Sequence, residues 1–317
     1  AFDKIDDDNS TPSYNKMKEY RLTMANRLAR ENPYADENDI IDSTGYPSGY
    51  SASSQDVLHG AFVAAYSNRD PNKIPLNYFP SIPFPNWRVT YKGLSKIPAL
   101  RNLFKNVTIT HSYHSSYRIG SYVSNINYED FQNLNAPSAL NENGDFINRY
   151  DMTLLSISEQ FSPLIKLDMT WNNSLLTNFE YKKSRNLSLS FVNNQLTEVS
   201  SNEYIIGVGY RIKNVKFAIK TLGGKGKKKQ MNSDLNLKVD FSVRDNKTIL
   251  RRLDEEIDQI SSGQRITSLN FSADYMISQK FTVRFYFDRI MNKPAVANQY
   301  PNSTTSGGIS LRFTLTQ

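Results

Sequence analysis

Side chains able to do chemistry are sparse in this chain, which carries three histidines and no cysteine in 317 residues. Without cysteine there are no disulfides, thiolate zinc sites or cysteine nucleophiles. His111 and His114 form the only close histidine pair. On a strand their odd and even numbers send them to opposite faces, so one metal ion reaches both only across a bulge, and they read as polar strand positions. His59 stands on a predicted helix with no evident partner and reads as a surface or packing residue. A serine or metal hydrolase would have to be assembled from scattered residues, so no catalytic, cofactor or metal site is expected.

Two charged runs remain. Gly223-Gly224-Lys225-Gly226-Lys227-Lys228-Lys229 has the composition of a phosphate loop but neither its glycine spacing nor a following helix. The Lys225 to Lys229 run is read as a solvated turn, with contact to an acidic partner or lipid head groups as the lesser alternative. Arg251-Arg252 and Asp254-Glu255-Glu256 lie where Leu250, Leu253, Ile257 and Ile260 fit helix spacing, which leaves either a loop helix or strands extended beyond a bilayer. The net charge of +7 is dispersed along the chain apart from the lysine run, so nucleic acid is not an expected partner.

The elements that hold these residues are mostly strands. Leu269, Phe271, Ala273 and Tyr275 alternate with Asn270, Ser272 and Asp274, and Phe281, Val283, Phe285 and Phe287 alternate with Thr282, Arg284, Tyr286 and Asp288. This period of two marks strands, and Ser278-Gln279 is a turn too short for anything but an antiparallel hairpin. The same alternation runs from Trp87 onward, through one long segment over Val107–Val123, then Leu155/Ile157, Ile165–Trp171, Phe179/Tyr181, Leu187–Phe191 and Ile206–Ile212. A turn is predicted at Lys213-Asn214, followed by Val215/Phe217/Ile219, Leu235–Val243, the hairpin, and Ile309/Leu311/Phe313/Leu315. About a dozen strands joined by short turns predict an all-β, antiparallel up-and-down meander over residues 86–317. Arms of about ten residues suit a tilted bilayer crossing, and no apolar run approaches the ~20 residues of a spanning helix. Only 38% of residues are apolar, yet 12% are aromatic, which excludes a disordered chain and suits strands with one wet and one oily face. Tight turns such as Ser278-Gln279 are expected on the periplasmic side, with Lys247–Gly263 and Asn292–Ser306 as long external loops.

Residues 1–85 differ in texture. Thr11-Pro12 reads as the N-cap and first position of a helix with Tyr14, Met17, Tyr20, Met24 and Leu28 on one face, ended by Asn32-Pro33. A second helix carries Leu58, Ala61, Phe62 and Ala65 and stops near Asp70-Pro71, and a Pro-rich tether follows over Ile74–Asn86. The segment reads either as a small helical cap or as a luminal or periplasmic element packed in or beneath a pore. The start, Ala1-Phe2-Asp3-Lys4, has no apolar signal core, as expected of a processed chain or a fragment.

Several ordered strings resemble the C-terminal region of the SprA/Sov family: Pro85-Asn86-Trp87-Arg88-Val89-Thr90-Tyr91, Thr110-His111-Ser112-Tyr113, Asn194-Gln195-Leu196-Thr197-Glu198, Ser201-Asn202-Glu203-Tyr204 and Phe271-Ser272-Ala273-Asp274-Tyr275. Asp56-Val57-Leu58 with Ala61-Phe62-Val63-Ala64-Ala65-Tyr66 is similar too. The resemblance implies the outer-membrane translocon of the Bacteroidetes type IX secretion system, which exports folded cargo and supports gliding motility. It implies a transmembrane β-barrel segment belonging to one very large barrel in the cell outer membrane. Expected partners are the remainder of that barrel, a PorV-type outer-membrane barrel, a periplasmic plug protein, secreted cargo proteins and outer-membrane lipid. The polar face of Asn270, Ser272, Asp274, Thr282, Arg284 and Asp288 would line the passage. Ile309, Leu311, Phe313 and Leu315 would form the barrel-assembly terminal strand, which here ends Thr316-Gln317 and not on an aromatic. Read without the resemblance, the same pattern also fits a separate porin or receptor barrel, a hydrolase on a barrel scaffold, or a soluble β adhesin.

Overall fold

Pro12 starts helix α1 (Pro12–Glu31) because its missing N–H has no partner to lose at that position, and the Thr11 hydroxyl caps it by accepting from the Tyr14 N–H at 3.2 Å. In the computed structural model, residues 6, 9–79, 85–220, 228–255, 257–278, 281–296 and 299–313 are described. Helix α2 (Gln55–Tyr66) packs on α1, and Met17, Met24, Leu58 and Phe62 are completely buried. Ile74, at the start of the predicted tether, is buried with them. Residues 80–84 lie outside the described set.

The strands are β1 (Trp87–Tyr91), β2 (Phe104–Ile119), β3 (Tyr122–Ser124), β4 (Tyr150–Met152), β5 (Leu154–Trp171), β6 (Leu175–Ser190), β7 (Gln195–Lys220), β8 (Lys228–Arg252), β9 (Ile257–Ser278), β10 (Phe281–Pro294) and β11 (Asn302–Phe313). Nine make one antiparallel meander in the order β1-β2-β5-β6-β7-β8-β9-β10-β11, and β3 and β4 pair separately. Among the described residues β1 and β11 pair on one side only, so the sheet is not closed. The protein is therefore mostly β, with short N-terminal helices.

The strands are fewer and longer than alternation alone predicts, because bulges take the place of turns. Lys213-Asn214 is not a turn: β7 runs through it, with Asn214 at φ 57° inside a register shift between Ile212 and Val215. Leu155/Ile157 and Ile165–Trp171 belong to one strand, whose pairing with β6 is interrupted between Phe161 and Ile165, where Pro163 has no N–H to give. Phe179/Tyr181 and Leu187/Leu189 likewise share β6. The long 107–123 segment divides instead, with Val123 on β3. A single helical turn, α3 (Pro98–Arg101), does sit between β1 and β2, where none was expected.

Lys247–Gly263 and Asn292–Ser306 are not long loops. Strands β8 and β9 stay paired from Leu235↔Tyr275 to Arg252↔Ile257, and β10 pairs β11 up to Asn292↔Asn302. Within the Leu250–Ile260 segment β8 ends at Arg252, a turn holds residues 253–255 and β9 begins at Ile257, so the described residues form strand ends and a turn and not a loop helix. Strand β7 has 26 residues, about 85 Å at ~3.3 Å per residue, well beyond the ~30 Å of a hydrocarbon core.

Candidate functional site

The register assigns every strand residue to one of two faces. Pairing Leu155↔Leu189, Leu189↔Leu196 and Leu196↔Arg251 places these on one side, and stepping by two along each strand reaches Ile165, Leu167, Phe179, Tyr204, Ile206, Val208, Val239 and Phe241 on that same side. Phe271, Ala273, Tyr275, Val283, Phe285, Ile309 and Leu311 continue it to the sheet edge. This apolar face has two ends with different cover.

At one end the helices lie on it. Tyr14, Phe62 and Tyr66 share a dry cluster with Leu155, Ile157, Leu187, Leu189 and Leu196. Charges are buried in the same patch: Arg251, 0% exposed, pairs with Glu198 at 2.9 Å and Asp258 at 3.2 Å and lies 4.4 Å from the Tyr14 ring. Arg185 pairs with Glu159 and sits 5.2 Å from the Tyr66 ring. Burial raises the Tyr14 hydroxyl well above its ordinary range, so it stays protonated. The Arg251 guanidinium also donates to the Asn9 carbonyl at 2.7 Å, which ties the start of α1 to β8.

At the other end the apolar face is bare: Ile206 is 50% and Leu311 65% exposed. Aromatic rings bound it on both sides. One row runs Trp87–Tyr113–Phe161, with ring centroids 4.6 and 4.8 Å apart, and continues into the parallel-stacked Tyr181–Tyr204 pair at 4.5 Å. The other holds Phe104 and Trp171 at 4.3 Å, then Tyr210, Tyr275 and the Phe281–Phe313 pair. The rows are about nine residues apart along β2, so ~30 Å of strand, or about 21 Å of height at ~45° tilt, separates them. The helices begin on the far side of the Trp87–Phe161 row.

The opposite face is wet and ion-paired. Lys182 reaches Glu180 at 3.6 Å and Glu203 at 3.7 Å, Arg244 bonds Glu203 at 2.6 Å, Lys238 bonds Asp240 at 2.6 Å, and Arg211 pairs with Asp234. All six polar residues singled out in the sequence fall here: Asp240↔Asn270↔Asp288, Lys238↔Ser272, Asn236↔Asp274↔Arg284 and Thr282↔Arg312 are aligned cross-strand sets, and the Arg284 guanidinium bonds Asp274 at 2.5 and 3.0 Å. Gly207 lies under this layer, where a Cβ would stand 1.8 Å from the Asn178 amide oxygen and 2.6 Å from an Asp240 oxygen. No known protein-family model and no curated protein matches the chain.

The remaining sequence candidates separate. His111 Nδ1 lies 2.6 Å from the Leu164 carbonyl, while His114 is exposed on the other side of the strand. His59 does have a partner: it is buried, and its Nε2 is 3.1 Å from the Tyr117 hydroxyl, which itself donates to the Tyr78 carbonyl at 2.9 Å. Nε2 therefore carries the proton, and burial lowers the imidazole pKa to about 4. Ile309, Leu311 and Phe313 form the apolar face of edge strand β11, whereas Leu315, Gln279 and Lys225–Lys227 lie outside the described residues. The buried clamp of Glu159, Arg185, Glu198, Arg251 and Asp258 was missed in the sequence. Parity is the signal that finds it, since each charge occupies an apolar-face position beside Ile157, Leu187, Leu196 or Ile249.

Proposed function

We propose that strands in residues 86–317 cross an outer membrane and that the chain is the C-terminal portion of a protein-conducting channel of the type IX secretion class. The observation that carries this reading is the bare apolar band, in register across nine strands and edged by aromatic rows, backed by a face of paired charges. A sheet in water hides its oily face; a barrel wall in lipid shows it and keeps the polar face within. The open edges β1 and β11 support further strands in the same wall, because an unpaired N–H or C=O in hydrocarbon costs several kcal/mol. The assignment to the type IX class rests on the ordered strings that resemble the SprA/Sov family.

The work of the chain is passive conduction. It makes and breaks no bond; Asn270, Ser272, Asp274, Thr282, Arg284 and Asp288 keep a passage wide and wet while cargo proteins cross. Ion pairs between neighbouring strands neutralise this wall, so it offers no strong field to hold a passing chain. A PorV-type barrel, a periplasmic plug protein and outer-membrane lipid are the partners of this reading. With the tight β9–β10 turn on the periplasmic side, α1 and α2 sit at the external end on the outward face, and neither in the passage nor in the periplasm. Single cysteines at Asn270 and Phe271, exposed to a membrane-impermeant thiol reagent, test the facing. Asn270→Cys is expected to label and Phe271→Cys to resist; preferential labelling at position 271 overturns the proposal.

A further inference from the structure

Between the C-terminal half of α1, α2, residues 76–79 and β4 lies a cavity of about 660 Å³ that the channel reading leaves without a role. That is the size of a small-molecule site, ~300–1,000 Å³. Rings of Tyr50, Tyr78, Tyr128 and Tyr150 line it, and polar groups from Asp56, Asn148 and Arg149 stand among them. We propose that this cavity binds a neutral soluble saccharide of one or two rings.

The rings are held before any ligand arrives. Tyr50 packs on Phe146 at 5.2 Å, and its hydroxyl accepts from the Asn32 amide at 3.0 Å. Tyr78 stands edge-on to His59 at 4.8 Å, and its hydroxyl accepts from Gln55 at 3.2 Å. Tyr150 is wedged between Phe79 and Tyr122 at 6.0 and 5.7 Å, and the Arg149 guanidinium lies 5.7 Å from the Tyr128 ring. Fixed aromatic faces suit the C–H face of a pyranose, and little ordering cost is left to binding.

The polar groups select against charge. With its amide nitrogen turned inward, Asn148 donates to both Asp56 oxygens at 2.6 and 3.3 Å, leaving an acceptor and a donor side by side in the wall. The Asp56 carboxyl disfavours an anion, and the Arg149 guanidinium disfavours an organic cation. A ring bearing hydroxyls satisfies both without bringing a charge. The position argues against a lipid: Tyr150 lies beyond Leu155, itself about 20 Å along β5 from the aromatic row at Phe161.

Saturation-transfer NMR on the full chain in detergent, with methyl α-D-mannopyranoside, N-acetylglucosamine, maltose and lactose as probes, tests this. At least one sugar is expected to receive saturation and to bind in the millimolar range. Tyr128→Ala, which removes a ring packed only on Arg149 among the contacts described, and Tyr150→Ala each lower that affinity at least tenfold with the helical circular dichroism unchanged. Tyr300→Ala, at an exposed ring far along the sequence, leaves it unchanged. Three outcomes overturn the proposal: no transfer to any sugar from folded protein, transfer that both cavity variants leave intact, or displacement of the sugar by choline or inorganic phosphate.

Discussion

The two ends of the apolar face lie on the same strands with the same parity, yet one is dry under helices and the other is bare. Leu187 and Phe179 on β6 are eight residues apart by number and point the same way; Leu187 is fully buried, and Phe179 lies in the uncovered band. Parity therefore states only which residues share a face. What separates the ends is what accompanies the leucines and phenylalanines. The covered end contains Glu159, Arg185, Glu198, Arg251 and Asp258, which pair with one another across neighbouring strands. Among the described residues the central bare band shows no such network, and tyrosine and tryptophan, with one oily and one polar end, stand at its borders. Hydrocarbon tolerates the second arrangement and penalises the first.

The largest effect expected is at the covered end. Arg251→Met leaves Glu198 and Asp258 buried without their cation, at a cost of about 3–5 kcal/mol. Hydrogen exchange should show α1 opening while the Tyr204–Ile212 stretch keeps its protection; loss of both together would make the two ends one unit. Next comes a charge in the middle of the bare band. Phe241→Arg should destabilise the protein in bilayers by ~2–4 kcal/mol, whereas Asp240→Arg, one residue away on the wet face, should cost far less. Equal costs in reversible unfolding from vesicles would erase the difference between faces.

A smaller effect distinguishes the helical end by pH. Burial pushes Asp56 up to about 7 from an ordinary 3.8, so the folded form holds a proton that the unfolded chain gives up, and stability falls as pH rises from 3.8 towards 7. His59, pushed down to about 4 from 6.5, acts in the other direction: stability falls as pH drops from 6.5 towards 4. The two slopes oppose each other in the wild type. Asp56→Asn leaves only the histidine slope, and protease resistance of the helices should climb between pH 4 and 6.5. His59→Gln leaves only the carboxyl slope, and resistance should decline from pH 4 to 7. The carboxyl swing is about 2 kcal/mol, discounted from the full shift because Asp56 is only partly buried, and the swing of the buried His59 is about 3 kcal/mol. A flat profile in both variants contradicts the assignment.

Much of this was legible in the chain. Thr11-Pro12 announces α1, and the spacing of Tyr14, Met17, Met24 and Leu28 marks its buried side, because capping and helical period are local. That Asn270, Ser272 and Asp274 share one face of the sheet was legible for the same reason. Lys213-Asn214 misled, since an asparagine at positive φ serves a bulge as well as a turn. Lys247–Gly263 and Asn292–Ser306 read as loops because their alternation of oily and polar residues fades, although backbone pairing continues. The cavity was invisible because its lining comes from separate segments around residues 28–32, 50–59, 76–79, 128–137 and 148–150, which only the folded helices and β4 bring together.

The central claim is that the even-numbered side chains of β7 between Tyr204 and Ile212 touch hydrocarbon. Nitroxide labels placed one at a time at positions 203–206 and 208–212 in lipid vesicles, leaving the crowded Gly207 untouched, with collision rates measured against oxygen and a water-soluble nickel chelate, test it directly. Oxygen collisions should peak at 206, 208 and 210 and nickel collisions at 205, 209 and 211, with a period of two. Nickel collisions peaking at the even positions, or no periodicity at all, would contradict the account.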